Sequence, residues 1–401
     1  MTINIAVILF NNNKKTMLLQ DKHIAIIGGG PGGLTLARLL KQQGLQVKVY
    51  ERDADRNVRQ QGSTLDLHEG TGLKALEVAG LLEEFKKHYR PGADKMKIIN
   101  SQMEVLLNDH AAATNENFGH EHFRPEIDRG PLRDLLITSL EEDDIVWNAK
   151  FKEMKPAGAG WELSFDNGSS AYADLVIASD GANSKVRKYL TDIPPIYSGV
   201  TAIEVNIYNA EKNAPALWQL ASGGKLFALE NGKTIFFGPK ADGTLSFLIG
   251  LKVSEDWLAK SNIDFNDKSQ VALWFQQEFA DWSSEWQSLF TTDEIWIMPR
   301  PMYHYPTDQN WETLANLTMI GDAAHRIPPY AGEGANQALA DALELYEALC
   351  LGQFETIQQA IASFELKMRA RMIDITAETL QNTAVMHTPD NLQFLLNFFN
   401  G

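Results

Sequence analysis

His23-Ile24-Ala25-Ile26-Ile27-Gly28-Gly29-Gly30-Pro31-Gly32-Gly33-Leu34 decides how the rest of the chain is read. An apolar strand runs into glycines spaced Gly28-x-Gly30-x-x-Gly33 and then into a helix, the pattern of a dinucleotide cradle. The first glycine permits the tight turn, the second lets backbone approach a pyrophosphate, and the third lets helix and strand pack closely. Bare amides at the helix start, with the positive end of its dipole, then face the phosphates. Leu34, Ala37 and Leu40 continue the helical pattern to Gly44, and Val47 to Tyr50 form a second strand ending in Glu51-Arg52. Glu51 stands about twenty residues beyond the glycines, where a carboxylate accepts ribose hydroxyls.

The chain around this unit has 401 residues, 44% hydrophobic and 22% charged, enough for a large core divided among lobes. Thirty-six basic against 52 acidic residues give a net charge of -16, which disfavours nucleic acid and anionic membrane surfaces as partners. The single cysteine, Cys350, excludes an internal disulfide framework and any thiolate metal cluster, leaves metal binding unsupported, and fits a reducing, cytoplasmic setting. Cys350 itself reads as a small buried hydrophobe on a helix. The apolar run Met1 to Phe10 precedes its lysines, the wrong order for an export signal, and is too short to span a bilayer. Translation from Met17 would leave it out, and residues 1–20 read as an N-terminal extension.

Beyond Arg52 a polar stretch leads through Gly62-Ser63-Thr64-Leu65-Asp66-Leu67-His68 toward a helix over Thr71 to Leu82, then short strands at Met96 to Asn100 and Met103 to Leu107 and a loop from Asp109 to Arg124. Pro131 suits the first turn of a helix whose stripe is Leu132, Leu135, Leu136 and Leu140. Arg129 and Arg133, four apart, share a helix face and could hold a pyrophosphate, or else be a solvated basic face. Asp174 to Ala178 form a buried strand ending in Ser179-Asp180-Gly181, followed by Ser184 and Arg187 at a helix start; this is ligand-facing geometry, or a turn capped by a serine. From Pro194 to Pro299 alternating strands, with six of the nine tryptophans, read as an antiparallel sheet under a helical layer. Leu317 to Ile320 then lead into Gly321-Asp322-Ala323-Ala324-His325, Pro328-Pro329-Tyr330-Ala331-Gly332-Glu333-Gly334-Ala335-Asn336 and a helix. Three strands end in acid-bearing loops, and one bound dinucleotide would explain all three.

These residues resemble the group A flavoprotein monooxygenases, the aromatic-hydroxylase family typified by para-hydroxybenzoate hydroxylase. The likeness is carried by Gly28-x-Gly30-x-x-Gly33 with Glu51-Arg52, by Asp180-Gly181-x-x-Ser184-x-x-Arg187, and by Gly321-Asp322-Ala323-Ala324-His325 with Gly332-x-Gly334. Glu51-Arg52, the Gly62 to His68 segment and Pro329 to Gly332 look most like the tetracycline-inactivating branch. The resemblance implies an α/β fold: a Rossmann-like FAD-binding domain (residues 21–95, 125–192 and 300–352), an antiparallel-sheet substrate domain (96–124 and 193–299) and a C-terminal bridging helix (353–401). It implies FAD held by Gly28, Gly30, Gly33, Glu51, Arg52, Asp66, Arg129, Arg133, Asp180, Gly181, Asp322, Gly332, Gly334 and Asn336, with Arg59 on NADPH. His325 takes a structural role.

By the same resemblance the activity is NADPH-consuming hydroxylation, through a flavin C4a-hydroperoxide, of an aromatic or polycyclic, tetracycline-like molecule. Small-molecule substrate and O2 are then the partners, the protein is expected to be a monomer, and no side chain need act as a catalytic acid, base or nucleophile. The substrate face would carry Glu204, Lys225 and Ser246 where the tetracycline-inactivating branch has glutamine, arginine and histidine, with Phe236, Pro329 and Tyr330 as its wall. These changes alter the hydrogen-bonding code, so tetracycline turnover is expected to be weak or altered. Two other readings are a non-catalytic flavoprotein that sequesters a ligand, and a flavin halogenase, of whose signature Ile295-Trp296-Ile297-Met298-Pro299 keeps only one tryptophan and the proline.

Overall fold

The computed structural model describes residues 18–58, 64–110, 117–120, 122–352 and 354–400. The N-terminal run, Met17, Arg59 and the Gly62-Ser63 pair lie outside them.

The fold is α/β. Five parallel strands stand in the order Leu317–Met319, Leu175–Ala178, His23–Ile27, Gln46–Tyr50 and Ile145–Val146. His23–Ile27 takes the middle position, with Ile26 paired to Ile177 on one side and Val49 on the other. A strand buried on both faces has to be apolar throughout, and Ile24 to Ile27 are. The helices Pro31–Lys41 and Glu333–Tyr346 pack on each other and close this core through Leu34, Leu36, Leu339 and Ala342. A three-stranded antiparallel meander, Phe151–Ala157, Gly160–Phe165 and Ser170–Ala173, sits beside it.

The second sheet has seven strands in the order Ile295–His304, Ile196–Ile207, Leu245–Lys252, Lys233–Pro239, Lys225–Glu230, Met96–Ile99 and Val105–Asn108. It is antiparallel except where Met96–Ile99, contributed by an earlier excursion of the chain, pairs parallel with Lys225–Glu230. Side chains alternate between its faces. Ile203, Val205, Leu226, Ile235, Phe237, Phe247 and Ile249 enter a core with Val271 and Phe275 of the helix Lys268–Glu278. Trp282 and Trp286 are buried in that core and Trp218, Trp257 and Trp274 pack on its edge, so these tryptophans are framework. The opposite face carries Ala202, Glu204, Asn206, Lys225, Phe227, Phe236, Gly238, Ser246 and Leu248.

The helix expected over Thr71 to Leu82 is interrupted: a wide turn Glu69–Leu73 leads into Lys74–Val78, and a separate helix spans Leu82–His88. The break falls at Gly80, whose φ of +72° ends the helical run, while at Gly72 a Cβ would lie 2.5 Å from Asn336 Oδ1, so only glycine lets the preceding turn press against the Glu333–Tyr346 helix. The C-terminal run forms one 29-residue helix, Ile357–Val385, started by reciprocal Thr356–Gln359 hydrogen bonds. A last helix, Asn391–Asn400, lays Leu395 against Ile98 and Leu229 of the seven-stranded sheet. Cys350 is buried, and burial pushes its thiol up to about 12. Among the described residues no helix is long and apolar enough to cross a membrane.

Candidate active site

Four adjacent parallel strands deliver the loops singled out from the sequence to one edge of the sheet. Leu317–Met319 ends before Gly321-Asp322, Leu175–Ala178 before Asp180-Gly181, His23–Ile27 before the glycine turn, and Gln46–Tyr50 before Glu51. In open α/β sheets this carboxyl edge is where ligands bind.

The glycine turn is shaped for backbone contact. Gly28 has φ +107°, and a Cβ on it would stand 2.3 Å from the carbonyl oxygen of Ser179. A Cβ on Gly33 would stand 2.4 Å from the carbonyl oxygen of Gly28, so the helix rests directly on the turn. Gly30 is different: a Cβ there would meet nothing within 4 Å, and Gly30 immediately precedes the helix Pro31–Lys41. A bare amide ledge at a helix start suits a pyrophosphate.

Glu51 is buried and accepts the backbone N–H of Gly29 (2.6 Å) and of Asp53 (3.0 Å), which ties the second strand to the glycine turn. Arg52 is exposed. Asp180 Oδ2 accepts the backbone N–H of Lys185 (2.8 Å) and Val186 (3.4 Å), while Oδ1 is buried without a hydrogen-bond partner. Burial pushes the Asp180 carboxyl above its ordinary range, and the Ser184 hydroxyl and the backbone amides offset only part of this. A Cβ on Gly181 would meet nothing within 4 Å, and one on Gly334 only Asp322 Oδ1 at 4.0 Å. Gly332, at φ +69°, starts the Glu333–Tyr346 helix. The cradle therefore presents open backbone at Gly30, Gly181 and Gly334 and one unpaired carboxylate oxygen at Asp180, a donor set that fits a dinucleotide.

Several side chains expected at the ligand are occupied by protein. Arg133 is buried; its Nε donates to Gly29 O (3.4 Å), Nη1 to Arg56 O (3.1 Å) and Nη2 to Asp53 (3.1 Å). It braces the glycine turn from behind, while Arg129, one turn earlier, is exposed. The Asn336 amide donates to Asp66 O (2.9 Å) and Gly332 O (3.2 Å) and accepts the His68 N–H (2.9 Å), stitching two loops together. Arg187 turns inward, donating to Ala323 O and Ala324 O (3.0 Å each) with its guanidinium 3.5 Å from the Tyr305 ring centre; Ser184 Oγ caps the Arg187 N–H.

Behind the Gly332 turn lies a charge cluster that single positions did not reveal. His68 is within 3.2 Å of Asp66 and 3.3 Å of Glu333. Burial pulls the imidazole down, but hydrogen bonds to both carboxylates outweigh it and hold His68 at about 9; burial likewise pushes the Asp66 carboxyl up, but the His68 hydrogen bond and the charges of Lys225 and His68 outweigh it and hold Asp66 at about 2. Lys225, reaching from the seven-stranded sheet, is ion-paired with buried Glu126. Burial pulls the ammonium down, yet Glu126 and Asp66 hold it above its ordinary value, and burial keeps the Glu126 carboxyl raised.

Glu204, Lys225, Phe236 and Ser246 share the sheet face away from the helices, with Glu204 ion-paired to Arg300 (2.9 Å). Tyr330 sets its ring edge-on to Phe236, 5.9 Å between centroids, and its hydroxyl 3.3 Å from His387 Nε2 of the C-terminal segment; Pro329 beside it is exposed. His387 was not legible beforehand, because its partner lies 57 residues away. His325 is buried with Nε2 2.5 Å from Asp341, which also accepts the Gly321 N–H (2.8 Å).

A family model described as an FAD binding domain matches residues 21–361. The chain belongs to this FAD-dependent monooxygenase family. Among the family, Monooxygenase penA of Penicillium thymicola is 30% identical over 81% of this chain and 84% of its own. The structure of HpxO from Klebsiella pneumoniae complexed with FAD and uric acid aligns with TM-score 0.72 at 20% identity, over 96% of this chain and 93% of that one. Tetracycline destructase Tet(55) aligns with TM-score 0.72 at 17% identity, over 92% and 90%. FAD is thus the cofactor of the family, and at such identities the two structures establish a shared fold.

Proposed function

We propose that the protein is an NADPH-consuming monooxygenase that inserts one oxygen atom of O2 into an aromatic or polycyclic small molecule held between the Pro329–Gly334 turn and the open face of the seven-stranded sheet. The observation that carries this reading is the alignment of Gly30, Glu51, Asp180 and Asp322 along the carboxyl edge of four neighbouring strands, together with a second sheet whose face away from its helices is chemically mixed. FAD supplies the redox and oxygen-activating chemistry.

The chain's own groups do the rest. Amides of the Gly28–Gly33 turn and the helix behind it take the pyrophosphate, Glu51 the adenosine ribose, and Asp180 with Asp322 the central part of the cofactor. The Glu333–Tyr346 helix starts at Gly332, so its amides face the side where negative charge would gather on the reduced ring. Asp66 stands close behind that turn, 3.1 Å from where a Cβ on Gly332 would be. Exposed Arg129 and Arg52 are placed for the outer phosphates or for NADPH. Phe236, Leu248 and Tyr330 keep the substrate side apolar, which limits water at the reacting centre. Compared with the tetracycline-inactivating branch, an acid at Glu204 already paired with Arg300 and an ammonium at Lys225 already paired with Glu126 leave a different recognition code, so tetracyclines are poor substrates.

The test is direct. The purified protein is expected to carry flavin absorption, to oxidise NADPH faster when its substrate is present, and to yield a product one oxygen atom heavier. A flavin-free protein, or one that never consumes NADPH with any of a panel of phenols and polyketides, would overturn the reading, and efficient tetracycline oxidation would overturn the exclusion of that substrate.

A further inference from the structure

The register of the seven-stranded sheet aligns Asn206 with Ser246, Ser246 with Gly238, and Lys225 with the strand position opposite Gly238. The four residues therefore form one row across the face turned away from the helix Lys268–Glu278, with Asn206 and Ser246 buried and Lys225 and Gly238 half-buried. Three strand intervals separate its ends, about 14 Å. The middle of the row is low: Ser246 rises only to a hydroxyl, and a Cβ on Gly238 would find its nearest neighbour at 3.5 Å, so the floor there has room. The next row, Glu204, Leu248, Phe236 and Phe227, is tall and mostly apolar. A low row beside a tall apolar one makes a trough suited to the edge and face of a flat ring system.

The ends of the trough differ in chemistry. At one end Lys225 brings a cation whose side chain is 30% exposed beside buried Glu126. At the other, Asn206 is 4% exposed, and its Oδ1 is buried without a hydrogen-bond partner. A buried acceptor left unmade costs about 1–3 kcal/mol, which a ligand donor would recover. A single ring reaches one end of the row and leaves the other unpaired.

Resting on the monooxygenase reading above, we propose that the substrate is a fused-ring phenol, two or three rings long, with an N–H donor opposite its hydroxyl, lying along this row with the hydroxyl at Lys225 and the N–H at Asn206 Oδ1. Ser246 and Gly238 form the floor, and Phe236 and Leu248 the wall.

Three probes test it on the FAD-loaded protein: 6-hydroxy-2-naphthamide, its methyl ester analogue methyl 6-hydroxy-2-naphthoate, which lacks the N–H, and the one-ring 4-hydroxybenzamide. Binding is read from the change each causes in flavin absorption, without NADPH. The naphthamide is expected to bind at least tenfold more tightly than the benzamide and about fivefold more tightly than the ester. Asn206→Leu should abolish the amide-over-ester preference and Gly238→Val should block both naphthols, each with flavin content unchanged, while Lys225→Met, read on the flavin-loaded fraction, should weaken both naphthols alike. Equal affinity for the one-ring probe, an amide preference that survives Asn206→Leu, no effect of Gly238→Val, or no binding by any probe would overturn the proposal. A protein that retains no flavin would instead overturn the function on which it rests, so the two failures are told apart before any probe is added.

Discussion

Gly28 and Gly30 stand two residues apart and are glycine for different reasons, which makes them separable by experiment. Gly28→Ala forces an L side chain to φ +107° and into the Ser179 carbonyl, backbone that cannot yield, so the apo protein should lose about 2–4 kcal/mol of stability and its melting temperature should fall by several degrees. Gly30→Ala places a methyl in open space, so apo stability should stay within about 0.5 kcal/mol while flavin retention drops sharply, because the methyl occupies the ledge. Spacing alone identified both residues. His68 could not be read the same way: its charge depends on Asp66, two residues away, and on Glu333, far along the chain. Its folded value is raised from 6.5 to about 9, so this contribution to stability is complete below pH 6.5 and is lost as pH rises through about 9. For Asp66, lowered from 3.8 to about 2, the contribution is present above pH 3.8 and lost as pH falls through about 2. Thermal melts of wild type and His68→Gln across pH 6 to 10 check the first: the wild type should lose stability toward the alkaline end, and the variant should be lower at pH 6 with a flatter profile.

At the scale of elements, the strand-to-loop units were legible because strand, turn residue and acid are contiguous, and burial of a central parallel strand forces an unbroken apolar run. Helix faces were harder. Arg129 and Arg133 share a face by spacing, yet one is exposed and the other buried, since the glycine turn lies over only the second turn of the helix. A C-terminal bridging helix was expected over 353–401 from the resemblance, but what it holds was not legible. Its Arg371 forks onto Asp341 (2.5 Å), Gln337 Oε1 (2.7 Å) and Glu344. Asp341 in turn grips the Gly321 N–H and His325, so the helix is linked through one buried carboxylate to the Gly321-Asp322 loop. Burial raises the Asp341 carboxyl, but His325 and Arg371 outweigh it and keep it low. Arg371→Met removes a partner from a fully buried charge and should cost about 3 kcal/mol, with flavin affinity falling as the Asp322 loop loosens. Arg371→Lys keeps the charge but loses the planar fork, so it should recover only part of both. Chemical denaturation and flavin titration of the two variants separate charge from geometry.

Over the whole molecule, what the sequence could not convey is how the two sheets are held at a fixed spacing, because every tie between them joins residues remote in the chain. Asp128 is one of these ties. It ends the short strand Glu126–Asp128, and its carboxylate accepts the backbone N–H of Ala241 (2.7 Å) and pairs with Arg90 (3.3 Å), which itself donates to the carbonyl of Pro239 (2.6 Å). Ala241 and Pro239 flank the end of the strand whose Gly238 floors and whose Phe236 walls the proposed substrate trough, so Asp128 fixes the height of that trough above the cofactor loops. Neither of its contacts touches the Gly28–Gly33 turn, Asp180 or Asp322. Asp128→Ala should therefore leave flavin content near that of wild type and lower stability by about 1–3 kcal/mol for the two lost bonds and the amide left unpaired. The larger effect should be on coupling: a trough free to shift admits water and misplaces the acceptor carbon, so NADPH consumption continues while more of it ends as hydrogen peroxide and less as oxygenated product. Peroxide released per NADPH, measured with a turned-over substrate, is expected to rise several-fold in Asp128→Ala and less in Asp128→Asn, which retains an acceptor for the Ala241 N–H. An unchanged ratio in both variants would mean that sheet spacing does not control where the oxygen goes.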